Sequence, residues 1–154
     1  MGVIYKGEDV SSDTERESLA TKFDRHADEE GKILTEYRAL SEKLGNSSAG
    51  NLVSHILTEE ELHHLLLRTL AQWMREQPTE QERAIPRDAN RAELLRLTQT
   101  LQKHELDTID ACRGAQLQLS GENAELFGTL LEAMVLDSEK HHQLLGVVEQ
   151  LLKR

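Results

Sequence analysis

The chain has 154 residues, with 18 Lys and Arg against 28 Asp and Glu, a formal net charge of −10 and a pI near 5.2. This balance disfavours nucleic acid and anionic membranes as partners, because both are bound through clustered basic side chains, which the sequence lacks. The single cysteine excludes an internal disulfide and a cysteine-based metal cluster, and no apolar run approaches the roughly 18 residues of a membrane span. We therefore expect one soluble, cytoplasmic domain.

Residues 1–11 carry neither the charged start nor the long apolar stretch of a secretory signal, so we expect a loose N-terminal arm there. The rest of the chain, 12–154, is rich in Leu, Glu, Arg, Gln and Ala, with apolar residues three or four apart. This periodicity predicts helices, and candidate caps and glycines set their ends. The predicted helices cover 12–44, 50–76, 88–119 and 122–153.

No segment alternates with the period of two that a strand would show, so the predicted class is all-α. Four amphipathic helices of this length are expected to bury their apolar stripes in an antiparallel four-helix bundle. Residues 59–67 recur 78 positions later as 137–145, and the same offset pairs His26 with His104. This repeat favours two related helical hairpins, with chance similarity between Glu- and Leu-rich helices as the alternative.

Polar side chains interrupt the apolar stripe of every predicted helix. Advancing about 100° per residue places at least one carboxylate inside each stripe, and counting from the helix ends puts these groups at similar depths. They are therefore expected to form one polar layer. Its members are His26 and Glu30 in the first helix, Glu60 and His63 in the second, Glu105 in the third, and Asp137 and His141 in the fourth.

Four inward carboxylates need cationic compensation, because a single unpaired buried charge costs several kcal/mol. The stripes contain no Lys or Arg, which leaves the histidines, shared protons or metal ions. About six oxygen and nitrogen donors suit two ions of iron or manganese, both of which accept mixed carboxylate and imidazole coordination. The polar layer is therefore a candidate site for one or two metal ions per chain.

The set of Glu30, the motif Glu60-x-x-His63, Glu105 and a histidine-bearing fourth helix resembles the ferritin-like di-iron carboxylate superfamily, in particular its rubrerythrin-type members. The resemblance implies a ferritin-like bundle in which Glu30 and Glu105 each bind one metal. It also implies that Glu60 bridges the two metals, and that His63 and His141 complete the coordination.

The fourth helix departs from the pattern of that superfamily. Ser138 stands three residues before His141, where the family has a second bridging Glu, so the shorter Asp137 would have to take that role. This departure implies an asymmetric pair of metals or a single ion. His26, one turn before Glu30, would add a nitrogen donor, which is closer to hemerythrin-like bundles.

The motif Glu-x-x-His also occurs at Glu61 and His64, and again at Glu139 and His142. Glu61 and Glu139 point roughly 170° away from the centres of their apolar stripes. We therefore expect these outward motifs to face solvent or a partner chain rather than the metal.

The resemblance implies a metal-binding protein with oxidase, peroxidase or metal-handling chemistry through iron or manganese, and with dioxygen or peroxide as a partner. No Cys-x-x-Cys pair is present for rubredoxin-like electron delivery, which argues against a complete rubrerythrin peroxidase. The alternative, from another class, is a metal-free helical interaction protein in which Glu and His hydrogen-bond each other and which forms a homodimer.

Overall fold

The computed structural model describes residues 13–77, 79–80 and 84–154. No strand occurs among these residues, which confirms the all-α class, and each predicted helix is found with its ends shifted by three residues or fewer. None of the described helices is both long and apolar enough to cross a membrane. The predicted N-terminal arm lies outside the described residues. The helices are α1 (Asp13–Leu44), α2 (Ser48–Arg75), α3 (Arg91–Gln118) and α4 (Ala124–Leu152).

The helices pack in pairs, α1 on α2 and α3 on α4, within two compact units, Met1–Arg83 and Ala84–Arg154. We call the two pairs hairpin 1 and hairpin 2. In hairpin 1, Arg16 near the start of α1 donates to the carbonyl of Met74 near the end of α2 at 3.3 Å. In hairpin 2, Arg91 at the start of α3 donates to the carbonyl of Leu152 at the end of α4 at 3.1 Å. Both pairs are therefore antiparallel.

Two glycines make the short connection between α1 and α2. Gly45 adopts φ 55°, a left-handed conformation typical of a helix C-terminus, and its amide donates to Ser41 at 3.0 Å. A Cβ at Gly50 would lie 2.0 Å from the Gly45 carbonyl oxygen, so only glycine fits there. The Ser47 hydroxyl accepts from the Gly50 amide at 3.1 Å and caps α2. Three residues therefore suffice to reverse the chain.

The start of α3 differs from the predicted residue 88. Asp88 lies in a turn in which the Ala89 amide donates to the Pro86 carbonyl at 3.0 Å. Asn90 is the N-cap instead, because its side-chain oxygen accepts from the Glu93 amide at 3.1 Å. Asp and Asn are both good N-cap residues, and the preceding turn decides between them.

The buried residues of both hairpins are mostly small. In hairpin 2, Ile109, Cys112 and Val135 form a core with Leu131 packed against it, so the single cysteine is a packing residue. In hairpin 1 three of the five buried residues are alanines, which lets the helices approach closely. The buried residues of hairpin 1 are Ala20, Ala27, Leu34, Gly50 and Ala71.

The prediction that the whole apolar stripe of the first helix is buried was wrong in part. Leu19, Ile33 and Leu40 are 41%, 51% and 46% exposed. The reason is a rotation of about one residue: α1 turns Ala20 and Leu34 toward α2, so the larger side chain before each of them lies on the flank of the helix pair. The predicted stripe followed the largest apolar residues, whereas the interface follows the smallest.

The two hairpins are related, and matching ion pairs define how. Glu61 of α2 pairs with Arg38 of α1 at 3.0 Å, and Glu139 of α4 pairs with Arg113 of α3 at 3.0 Å. The two glutamates are 78 residues apart, as the sequence repeat predicts, whereas the two arginines are 75 apart.

The offset of 75 between α1 and α3 changes one predicted correspondence. It matches Glu30 with Glu105, and their side chains are 15% and 17% exposed. It also matches His26 with Leu101, so the predicted match of His26 with His104 was wrong. A three-residue difference between the two hairpins lies between their helices and is invisible to a single-offset comparison.

An ion-pair network links α1 and α2 in hairpin 1. Arg75 bonds to Glu17 at 3.1 Å and also to Asp24, and Arg68 bonds to Asp24 at 3.0 Å and also to Asp28. The hydrogen bond from Arg75 is the largest cause that lowers the pKa of Asp24, loss of solvation opposes it, and the bond from Arg68 lowers it further. Asp24 is therefore held in its charged form.

We predict that Asn90→Ala lowers the free energy of unfolding by about 1 kcal/mol, because it removes a side-chain cap. Asn123→Ala is the matched control, since Asn123 precedes α4 but makes no side-chain cap hydrogen bond. Urea unfolding followed by circular dichroism measures both. Equal losses in the two variants would contradict the cap assignment.

We also predict that the Asp24 carboxyl titrates below its ordinary value in NMR titrations. Arg75→Gln should raise its pKa more than Arg68→Gln does. Because the pKa is lowered on folding, the stabilisation from Asp24 is complete above the unfolded-state pKa and is lost as the pH falls through the folded-state pKa. An unchanged midpoint in Arg75→Gln would show that the pair does not hold in solution.

Candidate metal centre

Hairpin 1 brings together three of the predicted ligands from two helices. Glu30 comes from α1, and Glu60 and His63 come from successive positions on one side of α2. One donor atom from each residue lies within 4.8 Å of the other two, and His63 Nδ1 is 3.8 Å from Glu60 Oε2. Glu30 lies 30 residues from Glu60 in the chain, so the antiparallel packing of the helices creates the cluster.

The carboxylate side of this cluster is the buried side. The Glu30 side chain is only 15% exposed, and its Oε2 atom is buried with no hydrogen-bond partner in the described part of the chain. A buried carboxylate oxygen without a donor is costly, so this atom calls for a cation or a proton. Its other oxygen, Oε1, lies 3.6 Å from Nε2 of His26.

The histidine side of the cluster is open. The side chain of His63 is 50% exposed and that of His26 is 59% exposed. His26 also lies between two carboxylates, because its Nδ1 atom is 3.7 Å from Glu29 Oε2. The centre therefore has buried oxygen donors and accessible nitrogen donors.

Hairpin 2 repeats only part of the cluster. His141 Nδ1 lies 3.5 Å from Glu105 Oε1, and His141 is 51% exposed, almost the same as His63. Buried Ser138 occupies the position that Glu60 has in hairpin 1, 78 residues earlier. The described residues of hairpin 2 therefore supply a donor pair by themselves, rather than a set of three.

Asp137, predicted to replace the missing glutamate, pairs with a lysine. Its Oδ1 atom lies 3.1 Å from Lys140 Nζ, one turn further along α4. A lysine within salt-bridge distance offsets the charge of this carboxylate, and the prediction from the sequence did not include that neighbour because Lys140 lies off the apolar stripe.

Hairpin 2 also contains a cavity that the sequence did not indicate. It has a volume of about 310 Å³ and is lined by the Glu105 and His141 pair together with Leu101, Leu144, Leu145 and Val148. The donor pair of hairpin 2 therefore lies against a mainly apolar wall, in contrast to the polar cluster of hairpin 1.

The prediction that the Glu61 and His64 motif faces outward holds for only one of its residues. Glu61 is half exposed and pairs with Arg38. His64 instead packs between the helices of hairpin 1, where its Nδ1 atom donates to the Ala27 carbonyl at 2.9 Å. A Cβ at Gly31 would lie 3.5 Å from this imidazole, so a glycine in the middle of α1 was the signal available in the sequence.

No protein-family model, no curated protein and no solved structure matches this chain. What the centre can bind follows from its own donor atoms. Two carboxylates and an imidazole form a mixed oxygen and nitrogen set, which iron and manganese accept.

Proposed function

We propose that this chain binds a transition-metal ion, iron or manganese, through Glu30, Glu60 and His63 of hairpin 1. The observation that carries the proposal is the three-donor cluster, in which Glu30 Oε2 is buried and lacks a hydrogen-bond partner. A divalent cation would satisfy that oxygen and would offset the charge of both carboxylates.

The remaining predicted ligands have secondary parts in this proposal. His26, at 3.6 Å from Glu30, is a fourth donor available on hairpin 1. Glu105 and His141 provide a separate two-donor set on hairpin 2. We therefore propose one strong site and at most one weaker site per chain, and Asp137 belongs to neither of them as long as it pairs with Lys140.

A bound iron or manganese ion supplies redox chemistry with dioxygen or peroxide, and we propose that the protein is an oxidoreductase or a metal-handling protein on that basis. The buried carboxylates of Glu30 and Glu60 set the negative charge of the centre. His63 and His26, on the exposed side, are the groups that an incoming small oxidant or metal ion meets first.

We predict that Glu60→Gln and His63→Ala each weaken the binding of Mn(II) at least about a hundredfold, because each removes a direct ligand. Two neighbouring residues of the same types serve as controls. Glu61→Gln and His64→Ala should change the affinity less than about threefold, since Glu61 pairs with Arg38 and His64 bonds to the α1 backbone.

Isothermal titration calorimetry of untagged protein under anaerobic conditions measures these affinities. Loss of affinity in the control variants equal to the loss in Glu60→Gln and His63→Ala would contradict the proposed ligand set.

We further predict that saturating Mn(II) raises the melting temperature. At a thousandfold excess over Kd the stabilisation is about 4 kcal/mol, which corresponds to a shift on the order of ten degrees in a chain of this size. The gain should shrink as the pH falls from about 7 to 4, because protons compete with the metal for imidazole and carboxylate donors. Differential scanning calorimetry with metal or chelator tests this. Identical melting curves at neutral pH would favour the metal-free interaction protein.

A further inference from the structure

Helix α2 carries a second apolar row beside the one that packs on α1. Its spacing alternates between four and three residues, which is the pattern of a helix that packs along a seam with another helix. Ile56, Leu66 and Trp73 of this row are 40%, 49% and 50% exposed. The row consists of Leu52, Ile56, Glu59, His63, Leu66, Leu70 and Trp73.

Helix α1 contributes a matching row at intervals of seven residues, namely Leu19, His26, Ile33 and Leu40. This row lies on the same side of hairpin 1 as the α2 row, because His26 contacts Glu30 and Glu30 clusters with His63. We call the two rows together the seam face of hairpin 1. It holds eight large apolar side chains around two histidines.

The size of the seam face matches that of a stable protein interface. Helix α2 has 28 residues, which at 1.5 Å per residue gives a length of about 42 Å. Two helices that lie about 10 Å apart make the face roughly 20 Å wide, so its area is about 800 Å². A standard interface buries about 800 Å² on each partner.

The α2 row is self-complementary in the antiparallel direction. His63 lies near its midpoint, so a two-fold axis at His63 sets Ile56 of one copy opposite Leu70 of the other. The same axis sets Leu52 of one copy opposite Trp73 of the other. Apolar residues therefore meet apolar residues at both ends, and polar residues meet at the centre.

We propose that hairpin 1 docks through its seam face onto the seam face of a second copy of this chain. The polar centre favours a copy over an unrelated apolar partner, which would bury His26 and His63 without counter-groups. A second copy brings the carboxylate of its own Glu60 within about one helical turn of the His63 imidazole, so opposite charges and hydrogen-bonding groups face each other across the two-fold axis.

The docking depends on the apolar rows and holds without metal. One consequence does rest on the proposed function: the two clusters of Glu30, Glu60 and His63 meet near the axis, where each copy adds donors to the ion of the other. A cluster with three donors is thereby brought closer to the four to six that iron or manganese takes.

Sedimentation equilibrium of the full chain with a chelator tests the docking. We expect a dimer, and we expect Leu66→Glu and Ile56→Glu to raise its dissociation constant at least about a hundredfold, because symmetry introduces each charge twice. Leu65→Glu is the matched control. Leu65 is the adjacent leucine, is 63% exposed and lies outside the seam face, so that variant should remain dimeric. Circular dichroism checks that all variants keep their helices.

A monomeric wild-type protein would overturn the proposal and would mean that another part of the chain, or another partner, covers the face. A dimer that Leu66→Glu leaves intact would overturn it as well. Glu60→Gln separates the docking from the metal: it should stay dimeric while it loses Mn(II). If Glu60→Gln becomes monomeric in chelator, the apolar rows do not drive the association.

Discussion

The close packing of α1 against α2 is the constraint on which the candidate centre depends. Ala20, Ala27 and Gly31 give α1 a smooth side, so the helices of hairpin 1 approach closely along it. Glu30, next to Gly31, is drawn to the edge of that interface and loses most of its contact with water. Its position beside Glu60 places two carboxylates where only one of their four oxygens has to remain unpaired to create a strong demand for a cation.

The helices and the three-donor cluster could be predicted from the sequence, because both depend on periodicity. The angular positions of Glu30, Glu60 and His63 differ little between an ideal helix and the observed one, so a stripe assigned by 100° steps places them on facing sides. The exact rotation of each helix could not be predicted in this way. Leu19 and Ile33 are more hydrophobic than Ala20, and yet the alanine is buried, because close approach rewards small side chains.

Two further differences have the same origin in tertiary context. His64 appears to be on the outer side when α2 is considered alone, but a glycine on α1 opens a space for its ring and the Ala27 carbonyl accepts its hydrogen bond. The three-residue difference between the offsets of the two helix pairs matches Glu30 with Glu105, a correspondence that depends on which residues meet across the hairpin. Neither neighbour is encoded in the periodicity of a single helix.

The related hairpins differ in the residues that matter for chemistry. Ala27 and Ala71 of hairpin 1 correspond to Gln102 and Glu149 of hairpin 2, which hydrogen-bond each other at 3.1 Å. Hairpin 2 thus satisfies its interface with polar partners of its own, and the loss of a glutamate at Ser138 leaves it a donor pair beside an apolar cavity. The same helical scaffold therefore concentrates unsatisfied acidity in hairpin 1.

Anomalous X-ray diffraction from crystals grown with Mn(II) tests the central claim most directly, because it locates the ion without reference to stability or activity. The predicted result is a manganese peak bounded by Glu30, Glu60 and His63, stronger than any peak at Glu105 and His141. Well-ordered side chains at these positions with no anomalous peak between them, at saturating Mn(II), would contradict the assignment of hairpin 1 as a metal centre.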